Sequence, residues 1–245
     1  MGIIYAVLSG KGGTGKTSLC AGIAAALAAS GESVLCIDCD VGLRNLDIPL
    51  GLGDQAALSF LDICSGSYQL EQATRHPQFP NLAFLTAPVN CDPADIDAEA
   101  FRDMLSAARG QFDYILLDAP AGIDSGFRLC AAYADRVILV TGGDPASIRD
   151  AGMAGELLER MGKPGARLVV NRVNKKLYKR LRLTVDDIMD DAGLPLLGIV
   201  PDDPRVVLWA VRHRPLLHRN KKGAAAACRR IAKRITGQSI PVTLR

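Results

Sequence analysis

The sequence predicts an α/β fold, a single P-loop-type domain built on a mostly parallel twisted sheet with helices on both faces. Three observations carry this expectation. An apolar run, Ile3–Leu8, breaks into the glycine-rich turn Gly10–Thr17 and then into a helix-compatible stretch, Ser18–Ala29. Two more apolar runs, Val34–Asp38 and Tyr114–Asp118, each end on a carboxylate. Short apolar runs then alternate with longer helical stretches, the pattern of parallel strands joined by crossover helices.

Taken in order, Ile3–Leu8 is the first strand, and Ser18–Ala29 follows as a helix with Cys20, Ile23, Ala24 and Leu27 on one face. Val34–Asp38 and Tyr114–Asp118 read as buried strands, and Leu82–Thr86, Val137–Thr141, Arg167–Val170 and Leu194–Val200 join them. Helices are expected near Asp95–Ala108, Asp124–Tyr133, Ala146–Met161 and Val185–Ala192, and a short one over Asp203–Leu216 with Trp209 on its apolar side, in the core. The 245 residues, 49% of them hydrophobic, suit one domain spanning 1–245 in which 237–245 form a short tail.

The stretch Gly10-Lys11-Gly12-Gly13-Thr14-Gly15-Lys16-Thr17 fits the phosphate-binding pattern Gly-x-x-x-x-Gly-Lys-Thr. Glycines let backbone N–H groups approach phosphates, and the helix that opens near Ser18 adds partial positive charge. Lys16 is expected at the β- and γ-phosphates and the Thr17 hydroxyl at Mg²⁺. Lys11 is a second lysine where one suffices, which invites another role, such as reaching a nucleotide on a partner subunit; spacing does not decide it. Ligands of open parallel sheets sit outside the carboxyl ends of the strands, so all three motifs end on one edge. Asp118 is placed to hold Mg²⁺ through water, and Asp40, just past its strand, to position the attacking water close to the metal. Guanine is disfavoured: Asn171 is followed by Arg172-Val173-Asn174 and Asn174-Lys175 by Lys176-Leu177, so no Asn-Lys-x-Asp occurs. The expected ligands are ATP and Mg²⁺.

Lys11–Thr17 resembles the deviant Walker A motif of the MinD/ParA family of P-loop ATPases. Asp38–Asp47 resembles switch I of that family's MinD branch, and Asp118-Ala-Pro-Ala-Gly122 its switch II. The likeness spans essentially the whole chain, since Val169–Arg172 and Gly198–Asp202 lie where the family's base-binding segments lie. The resemblance implies an ATP-dependent homodimer in which Lys11 contacts the opposite subunit's phosphates. It also implies that Asp40 orients water, and that Asn171, beside Arg172, Pro201 and Asp202, meets the adenine. Segments around Asp38, Asn45, Pro120 and Gly122 would act as switches. The implied activity is a slow, partner-stimulated ATP hydrolysis that times placement of the division site, with a division inhibitor and an activator as partner proteins.

Charge is uneven along the chain. Residues 1–165 hold 11 Lys+Arg against 20 Asp+Glu, and residues 166–245 hold 18 against 6. Basic residues cluster at Arg172, Lys175, Lys176, Lys179, Arg180 and Arg182, at Arg212, Arg214, Arg219, Lys221 and Lys222, and at Arg229, Arg230, Lys233 and Arg234. Such a face suits an anionic membrane surface or nonspecific DNA. DNA binding would make the chain a partition or protein-positioning ATPase; a nucleotide-gated module with negligible turnover is a third reading. Cys36 and Cys39 have CxxC spacing without a second pair, so they read as no metal framework; Cys20 and Cys130 read as core residues, and Cys64, Cys91 and Cys228 as isolated thiols. No cationic leader precedes the first strand and no apolar run spans a bilayer, so the expected location is cytoplasmic, with peripheral attachment at the inner membrane face. Ala224–Ile235 resembles the family's last core helix, with Cys228, Ile231 and Ile235 inward. After Gly237, eight residues with a central proline are too short for the amphipathic anchor the family carries.

Overall fold

Eight strands, β1 (Ile3–Leu8), β2 (Val34–Asp38), β3 (Thr74–His76), β4 (Phe79–Leu85), β5 (Tyr114–Asp118), β6 (Arg136–Thr141), β7 (Arg167–Val173) and β8 (Leu196–Pro201), form one sheet in the order β3-β4-β2-β5-β1-β6-β7-β8. Every neighbouring pair is parallel except β3 and β4. The computed structural model describes residues 1–41, 43–53, 55–88, 91, 96–163, 165–218 and 220–243. The expected helix start at Asp95, and Gly42 and Arg219, lie outside the described residues.

The strands are apolar on both sides because both faces of the sheet are covered. In β1, Ile4, Ala6 and Leu8 join one core layer and Val7 the other. The first layer lies under α4 (Ala98–Gln111), α5 (Ser125–Tyr133), α6 (Pro145–Arg160) and α8 (Val185–Ala192). The second lies under α1 (Lys16–Ala29) and α10 (Gly223–Ile235). Packed between sheet and α10, α1 is buried on nearly all sides from Leu19 to Ala28, so the single apolar face expected of it is too narrow a description. Its alanines and Gly22 allow the close approach: a Cβ at Gly22 would lie 2.6 Å from Cys228 Sγ.

β1, β2, β5 and α8 keep the bounds expected of them, and the other strands and helices differ by a few residues at their ends. Five elements among the described residues escaped the reading of the sequence: β3, α2 (Asp47–Leu50), α3 (Phe60–Cys64), a single 3-10 turn at Leu70–Gln72, and α7 (Lys175–Leu181). The helix expected over Asp203–Leu216 is also shorter, since α9 covers only Arg205–Val211. No residue of α9 is fully buried, and Trp209, expected in the core, packs half-buried against the edge of the second layer. Its half-buried ring stands edge-on to His218 and beneath the Arg212 guanidinium. Cys36 and Cys39 point into opposite layers, Cys36 lying 3.8 Å from the Cys20 sulfur and Cys39 packing with Cys130. That separation explains why the CxxC spacing makes no common site. Cys228, expected to face inward from the last helix, is buried against α1.

Helices α6 and α8 approach through glycine. A Cβ at Gly155 would sit 2.7 Å from the Ala192 carbonyl oxygen, and backbone cannot rotate away as a side chain can. Alanine at Gly155 should therefore lower stability by about 1–2 kcal/mol through overpacking, rather than gain the ~1 kcal/mol that helix propensity alone predicts. Denaturant unfolding of Gly155→Ala measures the sign directly.

Candidate nucleotide site

The turn after β1 leaves the sheet between the carboxyl ends of β5 and β6, where strand order reverses. Gly13 and Gly15 both have φ of 80°, a region that side chains disfavour. Side chains at two positions would also collide. A Cβ at Gly15 would lie 2.5 Å from Asn171 Nδ2, and one at Gly10 would run into the Asp150 carbonyl. The turn delivers Lys16 as the first residue of α1, buried, with its Nζ 2.7 Å from Asp118 Oδ1 and 3.4 Å from Thr17 Oγ1. Burial opposes the Lys16 charge, but the Asp118 carboxylate outweighs it and holds the ammonium above its ordinary range.

Asp118 ends β5 in full burial, and its second oxygen, Oδ2, has no partner among the described residues; the Thr14 hydroxyl is likewise unpartnered. Asp40 is half-buried beside them, close enough for its charge to act on Lys16 and Asp118. Burial pushes its carboxyl up and Lys16 draws it down. The structure thus brings Lys16, Thr17, Asp40 and Asp118 together, as their sequence positions predicted. An orphaned carboxylate oxygen, a hydroxyl and a second carboxylate form an all-oxygen set that fits Mg²⁺. Lys16 and the backbone N–H groups of the turn fit phosphate.

Lys11 is placed differently. Its Nζ lies 3.1 Å from Oδ1 of Asp144, which the sequence reading did not single out. Asp144 caps α6, accepting from the Ser147 hydroxyl and amide, and these bonds together with Lys11 hold its carboxyl down at about 2. The Asp144-Pro145-Ala146-Ser147 pattern, an N-cap before proline, was the available signal.

Asp38 faces inward instead of toward the phosphate turn. Its oxygens accept the backbone N–H groups of Asp40, Asn45 and Leu46, each at 3.0 Å, and so shape the loop that carries Asp40. The Asn45 side chain is exposed. In the other expected switch, the Gly122 N–H donates to the Ser9 carbonyl at 3.0 Å with φ of 99°. Pro120 packs on Gly126 so closely that a Cβ there would strike its ring.

On the opposite side of the turn, Gly15, Ser18, Asn171, Arg172, Pro201 and Asp202 line a cavity of about 220 Å³ with apolar walls from Leu19, Val206 and Leu216. The expected base-binding residues therefore share one slot. Asn171 also has structural duties: its amide donates to the Thr14 carbonyl at 2.7 Å, and its oxygen accepts the Arg172 N–H. Arg172, at φ of 56°, donates to the Gly13 carbonyl. Both residues tie the end of β7 to the phosphate turn. Asp203, not singled out from the sequence, is buried below the slot, where it accepts from Arg205 and from the Ala224 N–H at the start of α10.

Burial, with the Asp118 charge adding to it, pushes the Asp38 carboxyl up to about 6 despite its three backbone donors. In the nucleotide-free protein its contribution to stability is complete below about pH 4 and is lost as pH rises through about 6, since the folded state then holds a buried charge. Denaturation at pH 5 and pH 7 should show Asp38→Asn lacking this slope, a difference of about 1–3 kcal/mol between the two proteins.

The chain is similar to known proteins over nearly its whole length. The family model for the CobQ/CobB/MinD/ParA nucleotide binding domain matches residues 5–216. The septum site-determining protein MinD of Synechocystis is 37% identical over 244 residues, covering 98% of this chain and 92% of that protein. MinD in a MinC:MinD cell division protein complex from Aquifex aeolicus superimposes with a TM-score of 0.90 at 36% identity, over 99% of this chain and 98% of that one. MinD of Pyrococcus horikoshii, solved with Mg-ADP, superimposes with a TM-score of 0.79 at 27% identity, over 96% of both chains. The chain therefore belongs to the MinD/ParA family, whose matching model describes a nucleotide binding domain.

Proposed function

We propose that this protein is an ATPase whose nucleotide state times placement of the cell-division site. The observation that supports it most is the meeting of Lys16, Thr17, Asp40 and the orphaned oxygen of Asp118 at one sheet edge. Lys16 turns from Asp118 to the β- and γ-phosphates, while the backbone N–H groups of Gly12–Thr17 cradle them. Thr17 and Asp118 would hold Mg²⁺, and the ion would supply charge neutralisation at the phosphate oxygens. Asp40 lies where it can orient the attacking water and accept its proton. ATP seats its base against Asn171, Arg172, Pro201 and Asp202.

Lys11 takes part through a second subunit. One lysine already occupies the cradle, and Lys11 rests on an exposed carboxylate from which it can be released. Two subunits meeting at their nucleotide edges would let each Lys11 reach the other's phosphates. Hydrolysis then relaxes the loop organised by Asp38 and the segment Asp118–Gly122, and the dimer separates. Slow turnover, raised by an activator, makes the dimer a timer. A division inhibitor of the MinC kind is the partner suggested by the Aquifex aeolicus complex.

Sedimentation with ATP or ADP, together with phosphate release, tests this reading. Asp40→Ala should remain an ATP-dependent dimer with phosphate release reduced by about 100-fold or more. Lys11→Ala should bind ATP and stay monomeric. Undiminished release in the first variant would remove the role given to Asp40, and an ATP-dependent dimer of the second would remove the role of Lys11 across the interface.

A further inference from the structure

β7 breaks its register with β8 between Val170 and Val173, and the two residues in the gap, Asn171 and Arg172, reach to the phosphate turn. Irregularities of this kind re-aim side chains beside functional sites. Arg172 takes φ of 56° there, a conformation that a long side chain adopts only where its surroundings hold it. Asn171 is buried and meets the turn where only glycine leaves room, since a Cβ at Gly15 would lie 2.5 Å from its Nδ2. Its Nδ2 donates to the Thr14 carbonyl at 2.7 Å, and the Arg172 guanidinium donates to the Gly13 carbonyl at 3.2 Å. Two consecutive carbonyls of the turn are thus held from one side by the end of one strand.

Peptide geometry converts that hold into a placement of donors. In a trans peptide the C=O of one residue and the N–H of the next point in opposite directions. Fixing the Gly13 carbonyl toward Arg172 therefore turns the Thr14 N–H to the other side, and fixing the Thr14 carbonyl toward Asn171 does the same to the Gly15 N–H. Neither N–H donates to another group among the described residues. Both belong to Gly12–Thr17, the stretch proposed to cradle phosphate. Asn171 meanwhile has little left to offer a base. One of its two N–H donors is spent on Thr14, and its oxygen accepts the Arg172 N–H at 2.9 Å.

We infer that Asn171, supported by Arg172, is a positioning residue for phosphate: it holds the turn so that the Thr14 and Gly15 N–H groups face the ligand's phosphates before any base enters the slot. The inference rests on the nucleotide reading, but it moves the main contribution of Asn171 from the base to the other end of the ligand. The carboxamide is neutral, so its effect is separable from the attraction of Lys16. A residue that only fastened β7 to the turn would change the stability of the fold and leave the folded protein's affinity alone. A residue that only read the base would act on nucleotides and leave inorganic phosphates alone.

The test is calorimetric titration of the full chain with ADP and with inorganic pyrophosphate, each with Mg²⁺, since pyrophosphate has the phosphates without the base. Asn171→Ala should lose about tenfold or more in affinity for both, because a buried hydrogen bond that orients the turn is gone. Asn171→Asp, matched in size, still accepts the Arg172 N–H but sets an oxygen against the Thr14 carbonyl, and should lose at least as much. Circular dichroism and thermal unfolding show that each variant titrated is folded. Pyrophosphate affinity within about twofold of the unaltered chain's would overturn the inference, whether ADP is weakened, as for a base reader, or not, as for a structural tie. Failure of the unaltered chain to bind pyrophosphate would also overturn it, because a turn shaped by protein contacts needs no base. A Lys16→Ala variant that keeps both ligands would instead overturn the nucleotide reading on which the inference rests.

Discussion

The buried contact between Lys16 and Asp118 is the constraint on which the site depends. Two opposite charges, nearly or fully excluded from water, are held 2.7 Å apart by a turn that only glycines can follow and by the end of a central strand. Taking both charges out of water costs several kcal/mol, and their attraction returns little net stability. Loss of either partner leaves the other buried and uncompensated. Such a pair is poorly explained as a stabilising device and well explained as a poised one. The Lys16 ammonium has more donors than Asp118 uses, and Asp118 has an oxygen that nothing uses.

Carboxylates around this pair have divergent tasks set by their surroundings. Asp118 is buried against a lysine and keeps an open oxygen. Asp38 is equally buried, yet its oxygens are spent on three backbone N–H groups, and it serves as the keel of the loop that carries Asp40. Asp144 is exposed, caps α6 by accepting from Ser147 and pairs with Lys11, and its charge persists to low pH. Asp203 locks the start of α10 beneath the base slot. Strand ends, a helix cap and a loop keel thus place four acids near one ligand without making them equivalent.

Much of this was legible in the sequence because the governing patterns are local. β1, β2 and β5 are uninterrupted apolar runs ended by a glycine-rich turn or an aspartate, and the doubly wound sheet places such ends together. Elements defined by other parts of the chain were not legible. β3 is three residues, including Arg75 and His76, that become a strand only by pairing with β4. α7 reads as a charged stretch because only Tyr178 is buried, although Asn174 caps its first turn. α3 did carry a signal, the capping box of Ser59 and Asp62, within a helix too short to show a period. At the site, the meeting of Lys16, Thr17, Asp40 and Asp118 at one sheet edge was predictable, while the inward turn of Asp38 and the pairing of Lys11 with Asp144 rest on contacts between residues up to 133 positions apart.

The central claim is that Asp118 waits for a metal and Lys16 for phosphate at one sheet edge. Calorimetric titration of Asp118→Asn with ATP, in the presence and absence of Mg²⁺, tests it most directly. The account predicts that the variant still binds ATP but loses most of the Mg²⁺-dependent gain in affinity shown by the unaltered protein. An unchanged Mg²⁺ dependence would contradict it, because the orphaned oxygen would then have no part in holding the ion.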